Sequence, residues 1–193
     1  MITSNIDIAR KIAADNYLLS RESLREFSNI LVMKKCRKGE MILNEGDVCK
    51  WMIYVEKGML RQYYYKYDKD LTEHISYEGG IIICIESYFK EEPTRLLVEA
   101  LENSVIWYIP KNNLEDIAQK HPDIEGLYRM FLEKSLIESQ IKADTLRFEP
   151  ANERYIKLSK RHPEILKRAP LVYIASLLQM TPETLSRVRS SLL

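Results

Sequence analysis

Glu183 and Arg187 stand four residues apart near the C-terminus, within the run Leu171–Ser191. At that spacing two side chains project from the same side of a helix. Such a pair has two uses. It can close an ordinary i,i+4 ion pair on a helical hairpin. Near the N-terminus of a helix lying in a DNA major groove, the glutamate can instead accept from cytosine N4 while the arginine reads guanine O6 and N7. The residues around the pair fit two short helices crossing at a tight turn. Ile174 and Leu178 fall one turn apart, Ala175 is small where a second helix must cross, Met180 plugs the turn, and Leu185 and Val188 pack the second helix onto the first. Thr181 suits an N-cap, and Pro182 suits the first helical position, where its missing N–H costs nothing. Pro182, Glu183, Ser186, Arg187 and Ser190 then form the outer face of a helix-turn-helix. Gln179 stands where such turns usually carry glycine; a non-glycine residue can adopt the left-handed conformation there at modest cost.

The remaining chemistry-bearing residues exclude more than they suggest. Cys36, Cys49 and Cys84 include no Cys-x-x-Cys pair and leave at least one thiol unpaired. This argues against a disulfide framework, a zinc ribbon and a four-cysteine iron–sulfur cluster, and predicts reduced thiols without metal. His121 and His162 each precede a proline and read as helix boundaries, while His74 lies in an alternating strand as a surface or cross-strand residue. A metal enzyme on a β-roll needs two or three histidines with a carboxylate, and only His74 falls in the β-rich part. No nucleophile elbow, P-loop or dinucleotide fingerprint is present. No catalytic residue, metal or cofactor is therefore expected, and the chain does not read as an enzyme.

The elements that would position these residues follow from composition and period. With 193 residues, 46% hydrophobic and 30% charged, the chain has ordinary globular composition and room for one large or two small domains. No apolar run is long enough to span a membrane, and Met1–Asp7 lacks a basic region followed by an apolar block, which predicts a cytoplasmic protein. The net charge of +1 hides an asymmetry. Residues 151–193 carry eight Lys or Arg against three acids, leaving 21 basic and 25 acidic residues in 1–150. A basic end on a mildly acidic body suggests a nucleic-acid contact confined to that end, or simply a solvated basic surface.

Ser20 is a candidate N-cap for a helix containing Leu24, Phe27, Ile30 and Leu31. From Lys38-Gly39 to Pro110 come short β-rich runs at 40–43, 51–56, 59–67, 71–76, 81–85, 96–101 and 104–109. Glycines at 39, 46, 58, 79 and 80 fall between or beside them, predicting a compact antiparallel roll whose adjacent strands are joined by short turns. Asn112 and Asn113 can start a short helix through Leu114 and Ile117, and a long helix runs from about Asp123 to Thr145. Leu127, Met130, Ile137, Ile141 and Phe148 trace a heptad-like seam that needs a partner, either the roll or the same helix in a second subunit. Glu149-Pro150-Ala151 reads as a break between domains.

Roll, seam helix and helix-turn-helix together resemble the Crp/Fnr family of bacterial transcription regulators. The resemblance rests on the turns Lys38-Gly39-Glu40, Asn44–Asp47 and Tyr54–Gly58, and on Tyr173-Ile174-Ala175 followed by Thr181–Arg187. It implies an α+β fold: a cyclic nucleotide-binding-like antiparallel β-roll of jelly-roll type with flanking helices (1–122), a long dimerisation helix and hinge (123–149), and an all-α helix-turn-helix domain (150–193). With the chain ending at Leu193, no full wing is expected. By the same resemblance Glu183 and Arg187 match base-contacting positions and Thr181 a position near the phosphates, with Pro182, Ser186 and Arg189 completing the expected DNA-binding set. Pro182 replaces a frequent arginine, which implies a different target sequence. The implied partners are double-stranded DNA, a second copy of the chain, RNA polymerase and a small-molecule effector of unknown identity, with no membrane.

The family's effector site matches less well. Cyclic-nucleotide binders hold the ribose with a Gly-Glu pair and clamp the phosphate with an Arg-Ser pair about ten residues later. Glu86, Ser87 and Arg95 are the candidate ligand residues here, but Ile85 replaces the glycine and Leu96 the serine donor. A clamp with one charged partner loses charge-assisted hydrogen bonds of roughly 1.5–3 kcal/mol each, so cyclic AMP is not the expected effector. A salt bridge across the roll is the plainer use of Glu86 and Arg95. The expected function is a dimeric DNA-binding transcription regulator whose roll controls the pose of the helix-turn-helix. A ligand-sensing roll acting on a protein partner, without sequence-specific DNA binding, is the alternative.

Overall fold

The computed structural model describes residues 4–191. Residues 1–3, part of the segment read for a leader, and residues 192–193, on which the expected lack of a wing bears, lie outside the described residues.

Two helices open the chain, α1 (Asn5–Asn16) and α2 (Arg21–Ile30). Ser20 caps α2 as its side-chain type predicts, accepting from the Ser23 N–H at 3.2 Å. Eight strands follow: β1 (Val32–Cys36), β2 (Met41–Leu43), β3 (Trp51–Lys57), β4 (Met59–Lys66), β5 (Lys69–Tyr77), β6 (Ile81–Ile82), β7 (Leu97–Ala100) and β8 (Ser104–Pro110). They form two four-stranded sheets, ordered β1-β8-β3-β6 and β2-β7-β4-β5, with every pairing antiparallel.

Consecutive strands therefore mostly belong to opposite sheets. The turns at Gly46, Gly58 and Gly79 carry the chain between sheets; they do not join neighbouring strands as the turn signals suggested. Gly58 shows why glycine is required at such a crossing. Its φ is +101°, and a Cβ there would lie 2.2 Å from Ser104 Oγ and 2.7 Å from Ser104 Cα. Among the described residues the one tight hairpin, β4–β5, turns at Tyr67 and Asp68, both left-handed at φ 51° and 58°. That is the backbone of a type I′ turn built without glycine, so the sequence ran the strand through Tyr67.

Two further expectations are corrected. Val32–Cys36 is a strand paired along its length with β8, although only helical period was read before Lys38. The run at 81–85 is a strand only at Ile81–Ile82, and Ile85 instead starts a short helix, α3 (Ile85–Lys90). Two β residues paired with β3 are all that the alternation supports once the chain leaves the sheet.

After β8 come α4 (Lys111–Ala118) and the 27-residue α5 (Pro122–Phe148), with Pro122 in the first turn. The last four helices are α6 (Ala151–Arg161), α7 (Pro163–Arg168), α8 (Leu171–Leu177) and α9 (Pro182–Ser191). One hydrophobic core lies between the sheets and under α1, α2 and the start of α5. It includes Ile8, Ile12, Phe27, Tyr54, Trp107, Leu127 and Phe131. Trp107 is buried and its indole N–H donates to Glu56 Oε2 at 2.7 Å. A second core joins Ile165, Ala169, Ile174, Ala175, Leu178 and Leu185 to Met59 and Ile75 of the roll.

The seam of α5 is divided by these cores. Leu127 is buried in the first, Met130 and Ile141 are half-buried, and Ile137 and Phe148 are exposed. Leu136, off the expected seam, is exposed as well. The roll thus covers the first turns of α5 and leaves Leu136, Ile137 and Phe148 bare. No helix among the described residues is long and apolar enough to cross a membrane.

Candidate functional site

Helices α8 and α9 cross over buried Ile174, Ala175 and Leu185, all at 1% exposure or less. The turn between them is closed by backbone bonds from Gln179 N–H to Ser176 O and from Met180 N–H to Ala175 O, both 3.0 Å. Gln179 takes φ +50°, the left-handed conformation this turn demands even without glycine. Thr181 Oγ1 accepts from the Thr184 N–H at 3.2 Å and caps α9.

With Leu185 facing inward, Thr181, Pro182, Glu183, Ser186 and Arg187 are all exposed on the opposite side, and Arg189 is half-buried beside them. Among the described residues Glu183 and Arg187 close no ion pair with each other. Arg187 Nη2 donates to Thr184 Oγ1 at 3.3 Å, and the Thr181 hydroxyl holds the Glu183 carboxyl below its ordinary range. A charged acceptor and a charged donor fork are therefore both presented to solvent. The basic surroundings are thinner than the charge count suggests. Lys157 pairs with Glu149, Lys167 with Glu164, and Arg168 with Glu78 and Glu102, whereas Lys160 and Arg161 are exposed.

The candidate effector residues lie around a cavity of about 220 Å³ beside α3, lined by Cys84, Glu86, Ser87, Thr94, Arg95 and Leu96 among others. They are not equally free. Ser87 Oγ accepts from the Cys49 N–H at 2.9 Å and donates to Glu92 O at 2.5 Å, which ties it to the loop. Glu86 pairs with Lys90 on its own helix at 2.9 Å, so the cross-roll bridge to Arg95 is not formed. The exposed Arg95 guanidinium lies over the Tyr64 ring at 4.8 Å.

The contact that sequence reasoning missed is between the roll and the helix-turn-helix. Ser176 of α8 accepts from the Thr72 N–H at 2.8 Å. The guanidinium of Arg61 sits 3.6 Å from the centre of the Tyr173 ring while pairing with Asp70 and Glu99, each at 3.0 Å. Arg168 reaches back to Glu78 at 2.7 Å and also binds Glu102. This holds the Glu78 carboxyl down at about 2. Tyr77 and His162 share a hydrogen bond of 3.2 Å between the phenol oxygen and Nδ1, and Lys142 of α5 binds Glu73. A signal existed: Arg61 stands between the apolar Met59-Leu60 and the three tyrosines of β4, with Gln62 beside it. Its partners lie 9 and 38 residues away, beyond any local pattern.

A jelly roll with a cavity beside a short helix, a long helix leaving it, and a helix-turn-helix docked on the β4–β5 face together define a roll-and-helix-turn-helix protein. Residues 33–121 match the family model of the cyclic nucleotide-binding domain. Solved structures extend the likeness along the chain. FixK2 from Bradyrhizobium japonicum is 21% identical, with 84% of each chain covered and a TM-score of 0.69. The c-di-GMP responsive global regulator CLP of Xanthomonas campestris is 16% identical over 90% of this chain and 91% of its own, with a TM-score of 0.66. The catabolite activator protein of Thermus thermophilus is 18% identical over 94% and 86%, with a TM-score of 0.58. No curated protein matches the chain. The fold is that of the Crp/Fnr-type transcription regulators, as the motifs of the sequence implied.

Proposed function

We propose that the protein is a cytoplasmic, dimeric DNA-binding transcription regulator, in which the roll sets the pose of the helix-turn-helix. The observation that carries this is the exposed face of α9. Pro182, Glu183, Ser186 and Arg187 project together from a capped helix whose opposite face, Leu185, is buried. That is the arrangement a recognition helix needs to reach base edges. The bare Ile137 and Phe148 on α5, with Leu136 beside them, are the surface on which a second copy would pair. A dimer would present two copies of α9 to major grooves about one helical turn apart.

The cavity beside α3 suits an effector other than cyclic AMP. Ser87 is committed to Cys49 and Glu92, and Leu96 offers no donor. Arg95 is then the one cation among the cavity residues to meet a phosphate. Whatever occupies the cavity, the contacts of Arg61 and Thr72 with α8, and of Arg168 with Glu78 and Glu102 of the roll, are the route by which the roll would act on the pose of α9.

The test is selection of DNA from a random pool by the purified chain at low and physiological salt. An inverted repeat is expected. Arg187→Ala should then weaken binding to it by roughly 1–3 kcal/mol and relax specificity at one position of each half-site. Equal affinity for the selected and a scrambled site would overturn the base-reading role and leave the protein-interaction reading.

A further inference from the structure

The β4–β5 hairpin runs past the helix-turn-helix that docks on it, and three contacts fix how the two run together. Arg168 of α7 meets Glu78, just beyond the end of β5, at 2.7 Å. Tyr173 lies over Arg61, whose cross-strand partner on β5 is Ile75. Ser176 accepts from the Thr72 N–H at 2.8 Å and donates to Asp70 O at 3.4 Å. Advancing from Arg168 to Ser176 therefore moves along β5 from Glu78 back to Asp70. The next residues on one side are Leu177–Thr181, the turn that opens α9. On the other they are Lys69 to Lys66, the tip of the hairpin. The tip thus extends toward the start of α9.

The tip is built at a local cost. Lys66 and Lys69 form its last cross-strand pair, and like charges directly opposite each other destabilise a hairpin. Both are exposed, and among the described residues neither closes an ion pair. Asp70, one residue on, is already taken by Arg61 at 3.0 Å. Asp68 is the remaining acid, so two lysines stand against one carboxylate. Tyr65 and Tyr67 are 58% and 87% exposed, and Lys66 Nζ lies 5.5 Å from the centre of the Tyr67 ring. Edge strands often carry lysine to block pairing with another chain. The edge of β5, however, is already covered by α8 through Thr72 and Ser176. Unpaired ammonium groups and phenols gathered on one protruding turn are the groups that hold phosphate oxygens.

We infer that the β4–β5 tip is a second DNA contact, where Lys66 and Lys69, with Tyr65 and Tyr67, grip the phosphate backbone beside the half-site that α9 reads. This rests on the DNA-binding reading of α9. Phosphate contacts position a protein on the duplex and carry no sequence information directly. The tip therefore adds affinity and register, while Glu183 and Arg187 read the bases. Because the tip belongs to the roll, a shift at the Arg61–Tyr173 contact moves a backbone grip relative to α9.

The experiment compares the full chain with the double variant Lys66→Gln/Lys69→Gln by fluorescence anisotropy. Both are titrated onto the selected inverted repeat and onto a scrambled duplex, from about 50 to about 200 mM salt. Each lost phosphate contact removes roughly 0.9 from the slope of log K against log salt, so the slope should become shallower by about 2 per half-site. Affinity should fall by the same factor on both duplexes. The urea midpoint should be no lower than that of the wild type, because two opposed charges are gone. Asp68→Asn keeps a residue that tolerates the left-handed backbone and removes the acid. It should bind both duplexes more tightly, a gain that partial unfolding does not produce. A double variant with the wild-type salt slope, or a loss confined to the selected site, would overturn the inference and leave the reading of α9 standing. A wild-type chain that retains no DNA at any salt would overturn both.

Discussion

Mild acid should loosen the junction between the roll and the helix-turn-helix, and His74 sets the size of the effect. His74 lies on β5, where burial, then the positive charges of Lys142 and His162, push its imidazole down to about 4 from an ordinary 6.5, with Glu73 opposing. His162 of the adjoining segment is lowered as well, chiefly by burial, with Glu138 opposing and Arg161 adding to the shift. With its pKa near 4, the His74 ring is neutral at pH 7 in the docked arrangement. The unfolded chain takes up the proton first, so stability is complete above pH 6.5 and falls as the pH drops toward 4. At pH 5 the gap of 1.5 units below 6.5 corresponds to about 2 kcal/mol for His74 alone, at about 1.4 kcal/mol per unit. The window is clean on its acid side. Arg168 holds Glu78 down at about 2, so that ion pair still contributes in full at pH 5 and begins to fail only below about 4.5. The assay is urea unfolding at pH 7 and pH 5 for the wild type and His74→Gln. The variant keeps a neutral polar side chain and should recover about 2 kcal/mol of the acid loss while changing little at pH 7. An acid loss in His74→Gln equal to that of the wild type would refute the reasoning, as would an NMR titration of His74 near 6.5.

Three other substitutions probe separate parts of the molecule. Gly58→Ala combines a left-handed backbone with a Cβ 2.7 Å from Ser104 Cα, and should cost about 3 kcal/mol in chemical unfolding. Replacing Tyr67 and Asp68 by Asn and Gly matches their positive φ values to the preferred type I′ pair, and should raise Tm by ~2–4 °C in calorimetry. Ile137→Glu would place two charges in the proposed two-fold interface along α5, and should weaken dimerisation by ~100-fold or more in sedimentation equilibrium while leaving the fold's circular dichroism intact.

Local physics made much of this protein readable from its residues alone. Ser20 and Thr181 cap helices because a hydroxyl there satisfies an orphan backbone N–H, and that requirement depends on nothing distant. Gln179 could be placed in the left-handed region because the crossing of α8 and α9 requires it, whatever residue stands there. The break at Glu149–Pro150 and the face of α9 follow from proline sterics and the 3.6-residue period in the same way.

Other features were decided only when distant segments met. Val32–Cys36 is a strand because β8 offers it partners more than 65 positions later, and its own pattern does not distinguish it from the end of a helix. Ile85 leaves the strand because Cys84 caps a helix whose Ser87 is anchored by Cys49. The seam of α5 is one stripe in sequence, but the roll takes its first turns and leaves Ile137 and Phe148 bare. The docking of α8 on β5, with Arg61 between Tyr173, Asp70 and Glu99, belongs to the same class. Periodicity and capping act over a few residues, so the sequence determined elements and their faces. Which faces are covered and which charges are neutralised depends on contacts whose partners only the tertiary structure brings within a few ångströms.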